Sequence, residues 1–296
     1  MLRRRPPSPM SRRSPLDGAF ARYTRIGSGA LAYLLLTAAL VGALTLLLVQ
    51  HLRGDELRLN TLLLGSRPIR LVSDQEAFLI AVGSSAFLFL VAMFWAVIGG
   101  LTCAIAYTFS RRRRLRAVAW TLGTLGVAIP SFFWAILAEF VLLAIYFSTG
   151  VRLLPQAGFG FDEHVIMPAF ALGTRPMAYV FRLSAGALDE MRRRDWVRTA
   201  AGKGLDEGTI FRRHILPNAG PVIVAAIVLA AQIALSSLPV IEFVFVWGGI
   251  GLSFVQAIAS SQAALAASFA ITFAVALGLL NIASDLAQRL LGTRSA

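Results

Sequence analysis

The sequence predicts an all-α membrane protein with six transmembrane helices and both termini on one side. Three observations carry that prediction. Of the 296 residues, 57% are apolar and only 15% charged, whereas a soluble domain carries about 25% charged residues. Mean hydropathy is +0.72. Six runs approach the ~20 mostly apolar residues that a spanning helix needs, and the basic residues collect between alternate runs.

The runs are 27–49, 77–109, 118–147, 165–186, 219–241 and 263–287. The second and third exceed one bilayer thickness, and tilt or extension into water absorbs the excess. Pro130 lies inside the third and is expected to kink it. Arg175 and Pro176 interrupt the fourth. No repeat of 20–50 residues is present, so 27–292 reads as one membrane domain with a short tail at 293–296. The proline- and arginine-rich arm at 1–26 is expected to be disordered and solvated. Ser11-Arg12-Arg13 faintly resembles a twin-arginine export signal. The apolar run behind it is too long for a signal peptide, so the first helix is expected to be retained.

Charge sets the orientation. Seven Lys+Arg lie in the arm, five in 110–118, eight in 182–218 and two near the C-terminus, giving 22 on one side against five on the other. That bias predicts both termini in the cytoplasm. It also accounts for the net charge of +13 without a nucleic-acid partner, because the basic residues flank helices and lack interleaved aromatics. Cys103 is the single cysteine, so no intrachain disulfide and no zinc-type cluster is expected. His51, His164 and His214 fall at or beyond helix ends, which argues against an intramembrane Ser–His catalytic pair. No catalytic, cofactor or metal site is predicted. An ATP-independent secondary transporter and a structural scaffold subunit are the alternative classes.

The longest cytoplasmic stretch, 187–218, reads as two short amphipathic helices around a turn. Gly202-Lys203-Gly204 breaks the first, and Asp206 is placed to cap the second. Ile210, Phe211 and Ile215 give that second helix an apolar side, and Pro217 is expected to end it. Such faces suit a groove on another protein, the membrane surface or the chain's own bundle.

Arg198-Thr199-Ala200, then Gly204, then His214-Ile215-Leu216-Pro217 resembles the cytoplasmic signature of ABC importer permeases. DWVRTAAGKGL is similar to the oligopeptide/dipeptide subgroup in particular. Ile129-Pro130-Ser131-Phe132-Phe133-Trp134, Leu153-Leu154-Pro155 and Glu242-Phe243-Val244-Phe245-Val246-Trp247 with Gly249-Ile250-Gly251 resemble further pieces of that pattern, in order, over about residues 75–292. The chain departs from it in four places. Arg198 replaces an acid, His214 stands where many such permeases have Ile, Gly248-Gly249 replaces Pro-Gly, and the external loop 51–76 is short.

The resemblance implies half of a translocation pore in a bacterial-type inner membrane. Its partners would be a second permease, with a heterodimer favoured, two cytoplasmic ATPases and an extracytoplasmic solute-binding protein. ATP-Mg would bind in the ATPases, since this chain has no G-x-x-x-x-G-K-S/T loop. Arg198, Thr199, Ala200, Gly204 and Leu205 would contact an ATPase, and His214 and Pro217 would set the return into the fifth helix. Relatives carry dipeptides, oligopeptides, nickel chelates and glutathione-like molecules. Pathway or gate candidates are Phe132, Trp134, Glu139, Arg175, Gln232, Ser236 and Glu242. Glu139 and Arg175 are costly in hydrocarbon, and an ion pair between them is one expectation. Gln232 and Ser236 give their helix a polar stripe suited to helix association or to a pathway.

Overall fold

A computed structural model describes residues 35–36, 39–41 and 75–292. The arm, most of the 27–49 run, the external loop up to 74 and the tail lie outside the described residues. Helix α1 (Gln75–Phe109) is followed by α2 (Arg113–Ala128) and α3 (Ser131–Thr149). A single helical turn at Glu163–Val165 leads into α4 (Ile166–Arg192). Then come α5 (Asp195–Gly202), α6 (Glu207–Ile210), a widened π-helical turn at Phe211–Ile215 and α7 (Leu216–Val244). The described chain ends with α8 (Ile250–Ala259) and α9 (Ala263–Gly292).

Four segments among the described residues are long and apolar enough to cross a bilayer: Phe78–Phe109, Ser131–Thr149, Glu207–Val244 and Ala263–Leu286. The more polar α4 has 27 residues, about 40 Å of helix. It is the central element, packed against α1, α7, α2 and α3. Small residues allow the close approach that membrane helices need. A Cβ at Gly173 would stand 2.7 Å from the Ala92 carbonyl oxygen, and one at Gly100 would stand 2.8 Å from both the Met177 carbonyl oxygen and the Val180 Cβ. Leu88, Ala92, Leu172, Val180, Ala234 and Leu238 fill the core between α1, α4 and α7.

The expected third span, 118–147, is two helices rather than one kinked helix. Proline has no N–H and forces the preceding residue towards extended conformations. Ile129 (φ −80°, ψ 123°) and Pro130 (φ −60°, ψ 149°) both leave the helical region. The Arg175 Nε donates to the Val127 carbonyl at 3.3 Å, beside the break, where helical partners are missing. Pro217 also departs from expectation. It ends nothing, because α6, the π-helical turn and α7 form one helical body over Glu207–Val244. Pro217 sits in the first turn of α7, where the missing N–H is tolerated. Helix α8 falls in what the hydropathy runs left as a loop. Ten residues are too few to span.

Gly173→Ala should destabilise the protein by about 1–3 kcal/mol, because a backbone carbonyl blocks the added methyl. Gly186, on the same helix, has open space, with nothing within 4 Å of an added Cβ, and Gly186→Ala should gain about 0.5–1 kcal/mol. Thermal unfolding of both variants in detergent checks this. Equal effects would rule out the tight α1–α4 contact.

Candidate functional site: an exposed loop footed in the bundle and a buried carboxylate cap

The loop after α4 is anchored by arginines. The Arg192 guanidinium donates to the Thr108 carbonyl and lies 5.3 Å from the Phe109 ring. Arg116 pairs with Asp189 and stands 4.4 Å over Tyr107. These contacts tie the ends of α1, α2 and α4 together. The chain then breaks at Arg193-Arg194, with Arg194 extended (φ −69°, ψ 146°).

Helix α5 ends in a glycine turn. Gly204 has φ +82°, the left-handed conformation that glycine adopts without strain. The Leu205 N–H reaches back to the Ala200 carbonyl at 3.3 Å, and the Gly204 N–H to the Ala201 carbonyl at 2.9 Å. That pair of bonds is a Schellman motif, which satisfies helix-end carbonyls. Asp206 then caps α6, its Oδ2 accepting from the Thr209 N–H at 2.9 Å and its Oδ1 from the Thr209 hydroxyl at 2.6 Å. Those bonds hold the Asp206 carboxyl below its ordinary pKa. A depressed folded-state pKa means the cap's stabilisation is present at neutral pH and is lost as pH falls through that pKa.

Of the predicted contact residues, Arg198, Thr199, Gly204 and Leu205 are exposed. Ala200 is not. It is 6% exposed and packs with Leu188, Ile210, Ile215 and Ala219. The loop therefore has an inner footing on α4 and α7 and an outer rim, and the apolar side of α6 is closed by the chain's own bundle. Trp196 and Leu205 stay on the rim. His214 is half-buried, 6.3 Å from the Trp196 ring, and its carbonyl accepts from the Asn218 Nδ2 at 2.6 Å. Pro217 is exposed beside it.

At the other end of α7, Glu242 is completely buried. Its Oε2 accepts the Gly251 N–H at 2.7 Å and the Leu252 N–H at 3.1 Å. Its Oε1 accepts the Ser85 hydroxyl at 2.5 Å, and the Ser85 oxygen accepts the Ile250 N–H at 2.8 Å. One carboxylate and one serine thus satisfy the first three N–H groups of α8, where the helix dipole favours negative charge. The glycines are required by that approach, since a Cβ at Gly249 would stand 2.3 Å from the Glu242 Oε1. The intervening turn is strained, with Val246 at φ +53°, an unfavourable angle for a β-branched residue. The Trp247 indole N–H anchors it to the Ser84 carbonyl at 3.1 Å. Glu242 presents no surface to a passing solute. Ser85 carries no local sequence signal for this role, because it lies on a distant helix, 157 residues from Glu242. The carboxylate seven residues before Gly249-Ile250-Gly251 was a legible half of the motif.

The remaining pathway candidates do not converge. Glu139 and Arg175 form no ion pair. Arg175 turns instead to the Val127 carbonyl and lies 5.9 Å from the Tyr179 ring. Glu139 is half-buried on α3. Phe132 is exposed, and the buried Trp134 Nε1 has no hydrogen-bond partner among the described residues. Gln232 donates to the Asn281 Oδ1 between α7 and α9. With Ser236, whose hydroxyl donates to the Ile233 carbonyl at 2.9 Å, they line a cavity of about 490 Å³ that also touches Val41 and Leu277.

Comparison with known proteins identifies a family that matches most of the chain. Residues 96–296 match the family described as binding-protein-dependent transport system inner membrane component. A dipeptide transport system permease protein of Bacillus subtilis is 34% identical over 200 residues, 67% of this chain and 63% of that protein. A glutathione transport system permease protein of Escherichia coli (strain K12) is 28% identical over 194 residues, 66% of this chain and 62% of that one. The matched part thus spans less than two thirds of these relatives. The crystal structure of an amino acid ABC transporter shares the fold, with a TM-score of 0.54 at 14% identity, covering 77% of this chain and 98% of that one.

Glu242→Ala should cost about 2–4 kcal/mol, because it leaves buried N–H groups without an acceptor. Glu242→Gln keeps one acceptor oxygen and should cost less. Adding Ser85→Ala to Glu242→Ala should cost less than the sum of the two single losses, because their shared hydrogen bond is already gone, although the Ile250 N–H then loses its acceptor too. Unfolding midpoints of the single and double variants measure this, and additive losses would contradict the shared cap.

Proposed function

Because the chain belongs to the binding-protein-dependent transport system inner membrane components, we propose that it is the permease subunit of an ATP-driven importer. It lies in the cytoplasmic membrane with both termini inside, and it forms half of a translocation pore with a second, non-identical permease. Two cytoplasmic ATPases supply ATP hydrolysis, and an extracytoplasmic binding protein delivers the solute. The similarity to dipeptide and glutathione permeases favours short peptides or peptide-like solutes.

The observation that carries this reading is the build of the 193–218 loop. Its rim of Arg198, Thr199, Gly204 and Leu205 is exposed, while Ala200, Ile210 and Ile215 are rooted among α4 and α7. A partner that grips the rim therefore moves two membrane helices. Closure of an ATPase dimer would drag the loop as a rigid body and rock the bundle between inward- and outward-open states. Arg198 and Thr199 provide polar contacts. Gly204 and Leu205 form the tip, and His214 and Pro217 set the entry into α7.

Gly204→Asp tests this contact without unmaking the turn. Asp is among the few residues that enter left-handed backbone readily, and open space surrounds Gly204. The variant therefore places charge and bulk on the rim. In proteoliposomes holding the full complex, uptake should fall roughly tenfold or more, the scale of a typical coupling free energy. Basal ATP hydrolysis should persist without stimulation by the binding protein. Uptake at the wild-type rate, or uptake with no ATPase present, would overturn the proposal.

A further inference from the structure

The link between α1 and α2 and the first turn of α2 hold four consecutive arginines, Arg111 to Arg114, all exposed. None has an ion-pair, hydrogen-bond or ring partner for its side chain among the described residues. Their neighbours are used differently. Arg116 turns inward to Asp189 and Tyr107, and Arg182 lies 4.8 Å over Trp120. No acidic residue occupies the first turn of α2, and Arg112 at its N-cap makes no side-chain capping bond. Four like charges therefore meet the positive end of a helix dipole with no counter-charge among the described residues.

Directly after them, Leu115, Val118, Leu122 and Leu125 recur at helical spacing. They are 48–62% exposed. They form one apolar stripe beside the packed face of α2, where Gly123 and Gly126 press against Phe181 and Ala178. A charged head followed by an apolar stripe has the form of an amphiphile's binding surface. The guanidinium fork suits phosphate oxygens, and basic clusters at the edge of a membrane helix attract anionic lipids. A nucleic acid or a soluble protein would leave the stripe uncovered.

We propose that α2 carries a binding site for an anionic phospholipid, with its headgroup phosphate on Arg111–Arg114 and its acyl chains along Leu115, Val118, Leu122 and Leu125. The pairing of Arg116 with Asp189 and the contact of Phe109 with Phe211, 5.1 Å between rings, place this site at the same end as the 193–218 loop. Its assignment to the cytoplasmic leaflet rests on the importer reading; its lipid chemistry does not.

The test uses the full chain, purified in mild detergent with whatever subunits remain attached. It is incubated with mixed micelles of phosphatidylglycerol and phosphatidylcholine, and the retained lipid is extracted and quantified by mass spectrometry. Phosphatidylglycerol should be enriched over its share of the micelle. In R111Q/R112Q/R113Q/R114Q that enrichment should fall roughly tenfold, and four lysines at those positions should preserve most of it. Equal retention of the two lipids, or a glutamine variant that still enriches phosphatidylglycerol, overturns the site. If the glutamine variant does not fold, a salt titration of the wild type decides. Loss of phosphatidylglycerol with phosphatidylcholine unchanged supports the site, and insensitivity to salt overturns it. The importer reading is judged separately, by ATP-driven uptake.

Discussion

Backbone N–H and C=O groups cannot stay unpaired in hydrocarbon, and that constraint shapes the interruptions of this fold. Each break brings its own means of closure. Glu242 and Ser85 supply acceptors for the start of α8. Arg175 supplies a donor beside the end of α2. The Schellman turn at Gly204 closes α5, and Asp206 opens α6. The Asn218 side chain takes the His214 carbonyl, where the π-helical turn disturbs the regular ladder. Glu242, Ser85, Arg175, Asp206 and Asn218 are thus each engaged with backbone groups at an interruption of the helices.

That view explains what the sequence disclosed. Runs such as 77–109 and 263–287 are legible because hydropathy reports burial in lipid, and the helices observed there match within a few residues. The turn at Gly202-Lys203-Gly204 and the Asp206 cap are legible because capping is local chemistry. Two kinds of feature are hidden. Pro130 reads as a kink or as a break with equal ease, and a distant donor, Arg175, sits beside the break that resulted. The burial of Ala200 depends on residues from α4 and α7 that no local pattern reveals.

Charged residues show the same division. An expected Glu139–Arg175 pair is absent because the Arg175 side chain has a nearer acceptor in the freed Val127 carbonyl. Placement of two opposite charges on consecutive helices says little when backbone groups compete for them. Arg111–Arg114 are the opposite case. Among the described residues they have no competitor and no counter-charge, and the proposed lipid phosphates would supply one.

The geometry of α7 connects the two ends of the molecule. From Glu207 to Val244 the helical body has 38 residues, about 57 Å. At one end Ile210, Ile215 and Ala219 bury beneath the exposed loop. At the other, Glu242 holds α8, and a Cβ at Gly251 would stand 2.4 Å from the Pro239 Cα. Close-packed contacts transmit displacement because they cannot compress. A movement imposed at the Gly204 rim therefore reaches α8 through a single rod, unless the rod bends. Pro221 and Pro239 lie inside α7 and are its natural points of bending. Pro239 is pinned by α8, whereas Pro221 stands close to the loop. Bending at Pro221 would dissipate the movement before it crossed the membrane, so coupling requires that α7 stay stiff there. The packing of Ala219 and Ile223 on either side of Pro221 into the same cluster as Ala200 supplies that stiffness.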